Sequence, residues 1–163
     1  MNKPKTIEKY WIELSHEFAD FNQSSSPDPH IMARIQNLGR FDADLIHREQ
    51  DASLNVFQSD PYKLNNLVYH SYLWIVDANE ILRILKTFGN KDEYNSLYQE
   101  IREVRIPLAK HEKMNDNYKY GFFALPILER NDNKVGWRYG ERSIFYRTDF
   151  SAKMLETFRN ILN

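Results

Sequence analysis

The segment DPYKLNNLVYHSYLWIVDANEILRILKTF, residues 60–88, is the most apolar stretch of the chain at helical spacing. Asp60 followed by Pro61 is a typical helix start, because the aspartate can accept from the first free amides and proline loses nothing at the first helical position. Apolar residues recur three or four apart over the whole stretch: Leu64, Leu67, Trp74, Ala78, Ile81, Leu85 and Phe88. Other apolar residues of this segment widen the stripe well beyond one face of the helix. We therefore predict a central helix that packs against neighbours on several sides and ends at Gly89 and Asn90.

Asp77 is the acidic exception within this helix. At about 100° per residue it falls inside the arc of Leu73, Trp74 and Ile81, so its carboxylate needs a partner. A structural ion pair, or a bond to His70 or a neighbouring helix, would satisfy it, because buried charges are usually paired. A carboxylate that orients a functional group is the alternative.

Two helices are expected before the central one. Apolar residues from Ile7 to Phe21 predict a first amphipathic helix, and the polar segment NQSSSPDP, residues 22–29, predicts a linker. The second helix has a thinner stripe, which consists of Ile31, Ile35, Leu38, Asp42 and Leu45. Gly39 should weaken this helix.

A further helix is expected from about Lys91, joined to the central helix by a short polar loop as an antiparallel hairpin. Its stripe consists of Tyr94, Leu97, Ile101, Val104 and Leu108. After about Asn117 the period becomes two, which predicts a small antiparallel sheet. The alternating positions are Phe123, Leu125, Ile127, Val135, Trp137, Tyr139, Ile144 and Tyr146. Thr148 or Asp149 should then cap a last helix.

The predicted fold class is therefore mainly α. A single domain of residues 1–163 comprises an antiparallel helical bundle over residues 3–116, a small antiparallel hairpin or meander over residues 120–147, and a C-terminal helix over residues 149–162. The N-terminal segment MNKPKTIEKYW lacks the apolar core of a signal peptide, and no apolar run reaches membrane-spanning length. We expect a cytoplasmic protein without a membrane partner.

Composition excludes several classes of function. The 22 Lys and Arg residues against 23 Asp and Glu residues give a net charge of -1, so there is no global basic field, and any RNA contact has to be local. The chain has no cysteine, its five histidines do not sit at metal-site spacings, and its 5 glycines form no phosphate-binding loop. We therefore expect neither a metal nor a cofactor.

The segment IREVRIPLAKHEKMN, residues 101–115, carries the residues best suited to chemistry. Arg105 and His111 lie six apart, at opposite edges of the buried helical face, and Pro107 between them should bend or locally unwind the helix. In a purely structural interpretation Arg105 pairs with an acid such as Asp77, and His111 complements the carbonyl end of the helix.

With the central helix, this segment resembles the HEPN superfamily of helical-bundle proteins, whose motif is an Arg, four to six intervening residues and a His in a late helix. RIPLAKH, residues 105–111, matches that spacing, and the resemblance covers about residues 62–115. The C-terminal sheet and helix are similar to decorations seen in some bacterial members.

The resemblance implies a metal-independent endoribonuclease that works as a homodimer on RNA. His111 would then serve as acid and base, and Arg105 would hold the phosphate and stabilise its developing charge. Asp77 or Glu80 could orient either of them, and Lys110 could add local positive charge.

A non-catalytic helical module, which dimerises or binds a nucleotide or partner protein, is the alternative function. Ile106 favours it, because many HEPN members carry a polar residue directly after the Arg, and so does the absence of a basic stripe. Glu80 and Arg83, one turn apart, can equally form a solvated pair. The segment GWRYGERSIFYR, residues 136–147, could stack RNA bases, although packing of the sheet onto the bundle explains its rings as well.

Overall fold

The protein was analysed as a computed structural model, which describes residues 4–22, 30–51, 60–88, 91–110, 125–129, 133–139 and 143–162. Within these ranges the helices are α1 (Pro4–Asn22), α2 (Ile31–Asp51), α3 (Pro61–Phe88), α4 (Lys91–Lys110) and α5 (Arg147–Leu162). The strands are β1 (Leu125–Leu128), β2 (Val135–Tyr139) and β3 (Ser143–Tyr146), in the order β1-β2-β3. The predicted fold class, an antiparallel helical bundle with a small antiparallel sheet and a terminal helix, is confirmed.

Helix α3 is the centre of the bundle. The Asp60 carboxylate accepts a hydrogen bond from the amide of Tyr62 at 3.2 Å, so the predicted N-cap is present. Its completely buried side chains include Trp74, Ile75, Ala78 and Leu82, which lie within an arc of about 100° on one face of the helix. α3 ends at Phe88, and Gly89 and Asn90 lie outside the described residues.

Helices α2 and α4 border α3 on either side, and α1 packs against α2 and α5. Gly39 is buried where α1 meets α2, because the Trp11 side chain lies directly over it. The expectation that Gly39 only weakens α2 was therefore incomplete. The missing side chain lets the two helices approach closely enough for the completely buried Trp11 ring to fit between them.

The inner face of the sheet packs on the bundle. Trp137 pairs with Phe145 across β2 and β3, their ring centroids lie 6.4 Å apart, and both side chains are buried. Leu125 and Ile144 instead point outward and are 60% and 40% exposed. Of the alternating residues, Val135 and Trp137 of β2 are therefore buried, whereas Leu125 of β1 and Ile144 of β3 are exposed. Phe123 lies outside the described residues.

Helix α5 follows β3 without a loop. We had expected Thr148 or Asp149 to cap this helix. The helix begins at Arg147, so both residues lie within its first turn and neither precedes it. The Arg147 side chain is completely buried and binds carboxylates of α2, which fixes the start of the helix. In the part of the chain that the structure describes, no helix combines the length and the apolar character needed to cross a membrane.

Candidate functional site

Arg105 lies near the end of α4 and is half-buried. Its Nε atom is shielded from solvent and has no hydrogen-bond partner among the described residues. The helix runs without interruption through Pro107 to Lys110, so the local unwinding that we expected at Pro107 does not occur. Arg105 is therefore held on a regular helix with part of its donor capacity unused.

Glu80 of α3 lies within electrostatic range of Arg105. Its two carboxylate oxygens accept hydrogen bonds from Arg83 Nε at 2.9 Å and Arg83 Nη2 at 2.6 Å. These bonds are the main reason why the pKa of Glu80 is lowered, and the positive charges of Arg83, Arg34 and Arg105 lower it further. Glu80 is therefore an ionised carboxylate with guanidinium groups from α2, α3 and α4 around it.

Asp77 lies one turn before Glu80 and is exposed, so the expectation that it sits inside the buried arc was wrong. The side of α3 opposite its buried face is exposed, and this exposed strip includes Tyr62, Tyr69, Asp77 and Arg83. Partial desolvation by the flanking helices raises the pKa of Asp77, and the positive charge of Arg34 on α2 offsets part of this increase. His70, one of the partners that we considered for Asp77, instead contacts Arg48.

The remaining predicted site residues lie at the end of α4. Lys110 is its last helical residue, and the structure describes the backbone of Lys110 without its side chain. His111 follows directly and lies outside the described residues. At 1.5 Å per residue, Lys110 is roughly 8 Å along the helix axis from Arg105. Among the described residues, the charge of Arg105 acts on Glu80, and the charge of Arg34 acts on both Glu80 and Asp77.

Two groups near α3 were missed by the sequence analysis. Arg34 reaches the acids of α3 from α2. Farther along the same helix, Arg48 Nη1 lies 2.9 Å from His70 Nδ1 and Arg48 Nη2 lies 2.8 Å from the carboxylate of Asp44. Because a guanidinium can only donate, His70 Nδ1 is the acceptor, and the neutral imidazole carries its proton on Nε2. The pair of Arg48 and Asp44 has the i,i+4 spacing of one helix, whereas the contact of Arg48 with His70 and the effect of Arg34 join different helices and carry no local motif.

A second polar cluster lies in the core, on the other side of α2. Asp42 accepts hydrogen bonds from Arg147, from Ser151 Oγ at 2.5 Å and from Trp11 Nε1 at 3.4 Å. Arg147 Nη2 also donates to Glu49 at 2.8 Å. A cleft of about 480 Å³ between α1, α2 and α5 reaches this cluster, but the Asp42 carboxylate is already fully bonded. We therefore assign the cluster a structural role.

Metal chemistry finds no support in the described residues. No three His, Asp or Glu side chains of the described ranges gather into a group that could hold a metal ion. The two carboxylates that do meet in the core, Asp42 and Glu49, share the positive charge of Arg147.

No family model matches the chain, and neither a curated protein nor a solved structure matches it. The likeness of residues 105–111 to the HEPN motif therefore stays a prediction, and the function has to be argued from the chemistry of the residues themselves.

Proposed function

We propose that the protein is a metal-independent endoribonuclease in which Arg105 and His111 act on the RNA backbone. The observation that carries the proposal is the half-buried guanidinium of Arg105, whose shielded Nε lacks an acceptor among the described residues. A guanidinium presents donors in a rigid fork that fits two phosphate oxygens, and it keeps its charge at every physiological pH. A phosphodiester is a suitable ligand for the charged guanidinium of this half-buried side chain.

The acids of α3 support this role for Arg105. Glu80 is ionised and lies in the electrostatic field of Arg105, so it attracts this guanidinium without neutralising the group of three arginines. Arg34, Arg83 and Arg105 carry three positive charges, against the two carboxylates of Asp77 and Glu80. The strip can thus attract a phosphate even though the net charge of the chain is -1.

His111 supplies the proton transfers in this proposal. A neutral imidazole removes the proton from a ribose 2′-hydroxyl, the 2′-oxygen attacks the adjacent phosphorus, and the bond from phosphorus to the 5′-oxygen breaks. The imidazolium, or that of a second subunit, returns the proton to the 5′-oxygen, and a 2′,3′-cyclic phosphate remains. Arg105 stabilises the charge that develops on the phosphate oxygens, so the reaction needs no metal.

The decisive test is cleavage of a mixed RNA in EDTA by the parent protein and by Arg105→Ala, His111→Ala and Arg102→Ala. Arg102 is the matched control, because it is an exposed arginine one turn before Arg105 on the same helix. We expect a loss of about 100-fold or more for the first two variants, as is usual for general acid–base and charge-stabilising groups, and little change for the third. Full activity of His111→Ala would refute the proposal.

The second candidate is a non-catalytic module that forms homodimers or binds a nucleotide. The specific observation in its favour is the exposure of two rings on α3, Tyr62 at 83% and Tyr69 at 57%. The molar mass by light scattering tests dimerisation under both candidates. A dimer that leaves RNA intact in EDTA would favour the module.

A further inference from the structure

The exposed strip of α3 has an aromatic half and a charged half. Tyr62, Tyr69 and Glu80 lie within about 20° of one line along the helix, because seven and eighteen residues are close to two and five full turns. Tyr69 and Glu80 are separated by eleven residues, or roughly 16 Å along the axis. The proposed phosphate site at Arg105 and the exposed ring of Tyr69 therefore lie along the same strip.

Tyr69 is exposed and yet firmly braced. Its ring centroid lies 6.0 Å from that of His70 and 6.5 Å from that of Tyr72. His70 in turn makes an edge contact with Phe41 of α2 at 6.1 Å. A ring that is supported by its neighbours loses little freedom when a second planar group stacks on it, while 57% of its surface is open to receive one.

The charges beside Tyr69 suit a polyanion. Between Pro61 and Val76 the helix carries no carboxylate and one cation, Lys63. Arg48 of α2 reaches the same place through its contact with His70, and 44% of its side chain is exposed. Asp44, one turn before Arg48 on α2, pairs with this arginine at 2.8 Å.

We infer that Tyr69, flanked by Arg48, is a base-stacking subsite that selects single-stranded RNA at the proposed active site. An unpaired base stacks on the Tyr69 ring, and Arg48 binds an adjacent phosphate. At about 3.4 Å per stacked nucleotide, the 16 Å to Glu80 corresponds to at most about five nucleotides from the scissile phosphate. The bases of an RNA duplex are stacked inside the double helix, so none of them can stack on the Tyr69 ring. The inference rests on the proposed function for the identity of the ligand.

The test uses 2′-O-methyl RNA, which cannot form the 2′-oxyanion, so that binding is measured independently of cleavage. Fluorescence anisotropy compares a labelled single strand with a duplex of the same sequence, on the parent protein and on Tyr69→Leu, Tyr69→Phe and Arg48→Ala. We expect about tenfold weaker binding of the single strand for Tyr69→Leu and near-parental binding for Tyr69→Phe, because the ring carries the effect. Arg48→Ala should weaken binding and reduce its salt dependence.

Tyr146→Leu is the matched control, since Tyr146 is a partly exposed ring on the outer face of the sheet, next to Lys134. Equal affinity of Tyr69→Leu and the parent protein, or a larger loss for Tyr146→Leu, would overturn the inference. So would a change in molar mass of Tyr69→Leu, which would make the ring a contact between protein copies. Binding that depends on Tyr69 without any cleavage of natural RNA would retain the subsite and reject the ribonuclease.

Discussion

Arg147 and Asp42 form an ion pair across 105 positions of the chain, and neither side chain has any exposure to solvent. Arg147 also binds Glu49, which accepts a hydrogen bond from the backbone amide of Val135 at 3.3 Å. One guanidinium thus connects α2 to α5, and one carboxylate connects α2 to β2. The sheet and the last helix are held against the bundle by a polar cluster as well as by apolar packing.

Removal of Arg147 should be strongly destabilising. In Arg147→Ala two buried carboxylates lose their common counter-ion, and an uncompensated buried charge typically costs about 3–5 kcal/mol. Urea unfolding followed by circular dichroism measures the change. Arg138→Ala, which removes an exposed arginine of β2, is the control and should stay within about 0.5 kcal/mol of the parent. A loss below about 1 kcal/mol for Arg147→Ala would show that the cluster does not hold the fold together.

Stability should depend on pH through Glu49. Burial is the largest influence on this carboxyl and raises its pKa above 4.5, against the opposing effect of Arg147, whose charge is shared with Asp42. The folded state then binds a proton more tightly than the unfolded state. This contribution to the free energy of unfolding is largest below about pH 4.5 and declines as pH rises through the folded pKa.

Glu49→Gln keeps an oxygen for the Val135 amide and removes the titration. We therefore expect that the stability of the parent relative to Glu49→Gln falls between about pH 4 and pH 7, as measured by urea unfolding at each pH. Glu156→Gln, at an exposed position of α5, should show a much smaller dependence. A relative stability that rises with pH would mean that the ion pair outweighs burial and that the pKa of Glu49 is lowered.

Gly39→Ala should destabilise the protein although alanine is the better helix former. The new Cβ would overlap Cβ and Cγ of Trp11, which is completely buried and has no room to move. Overpacking of this kind costs about 1–3 kcal/mol, which exceeds the roughly 1 kcal/mol that alanine gains over glycine in an open helix. Thermal unfolding distinguishes the cost of overpacking from the gain in helix propensity. A higher Tm for Gly39→Ala would show that α1 and α2 separate easily. Ser96→Ala, at an exposed site of α4, controls for helix propensity.

Glu80→Gln should reduce RNA cleavage without moving the acidic limb of the pH–rate profile. Arg83 keeps the pKa of Glu80 below 4.5, so Glu80 is already ionised where a histidine titrates. The substitution therefore removes a negative charge from the surroundings of Arg105 and leaves the titrating group alone. We expect about a tenfold lower kcat/KM with an unchanged midpoint. A shifted midpoint of the acidic limb would show that the titration of Glu80 causes this limb of the pH–rate profile. Glu103→Gln, an exposed acid on α4, is the control.

Local signals were sufficient for much of the bundle. Asp60 and Pro61 fixed the start of α3, and the spacing of its apolar residues predicted its extent, because both depend on the helical backbone alone. The same reasoning failed for Asp77. An angle on a helical wheel does not tell which side of a helix its neighbours cover, and the side that carries Asp77 is exposed.

The candidate site was predictable in part. The pairing of Glu80 with Arg83 follows from their spacing of three residues on one helix, and the position of Arg105 near the end of α4 follows from its apolar stripe. The effect of Arg34 on Asp77 and Glu80 and the contact of Arg48 with His70 carry no such mark, because each joins residues of two helices. The motif that suggests catalysis includes His111, which lies outside the described residues, so its role stays a prediction.

The sequence by itself determined the mainly helical class, the central helix and the small C-terminal sheet, since periodicity and caps act over a few residues. Only the tertiary structure decided that Asp42, one position of an apolar stripe, accepts bonds from α1 and α5, and that Gly39 receives Trp11. Contacts between side chains from distant parts of the chain depend on how the helices pack, and no spacing within one helix specifies them.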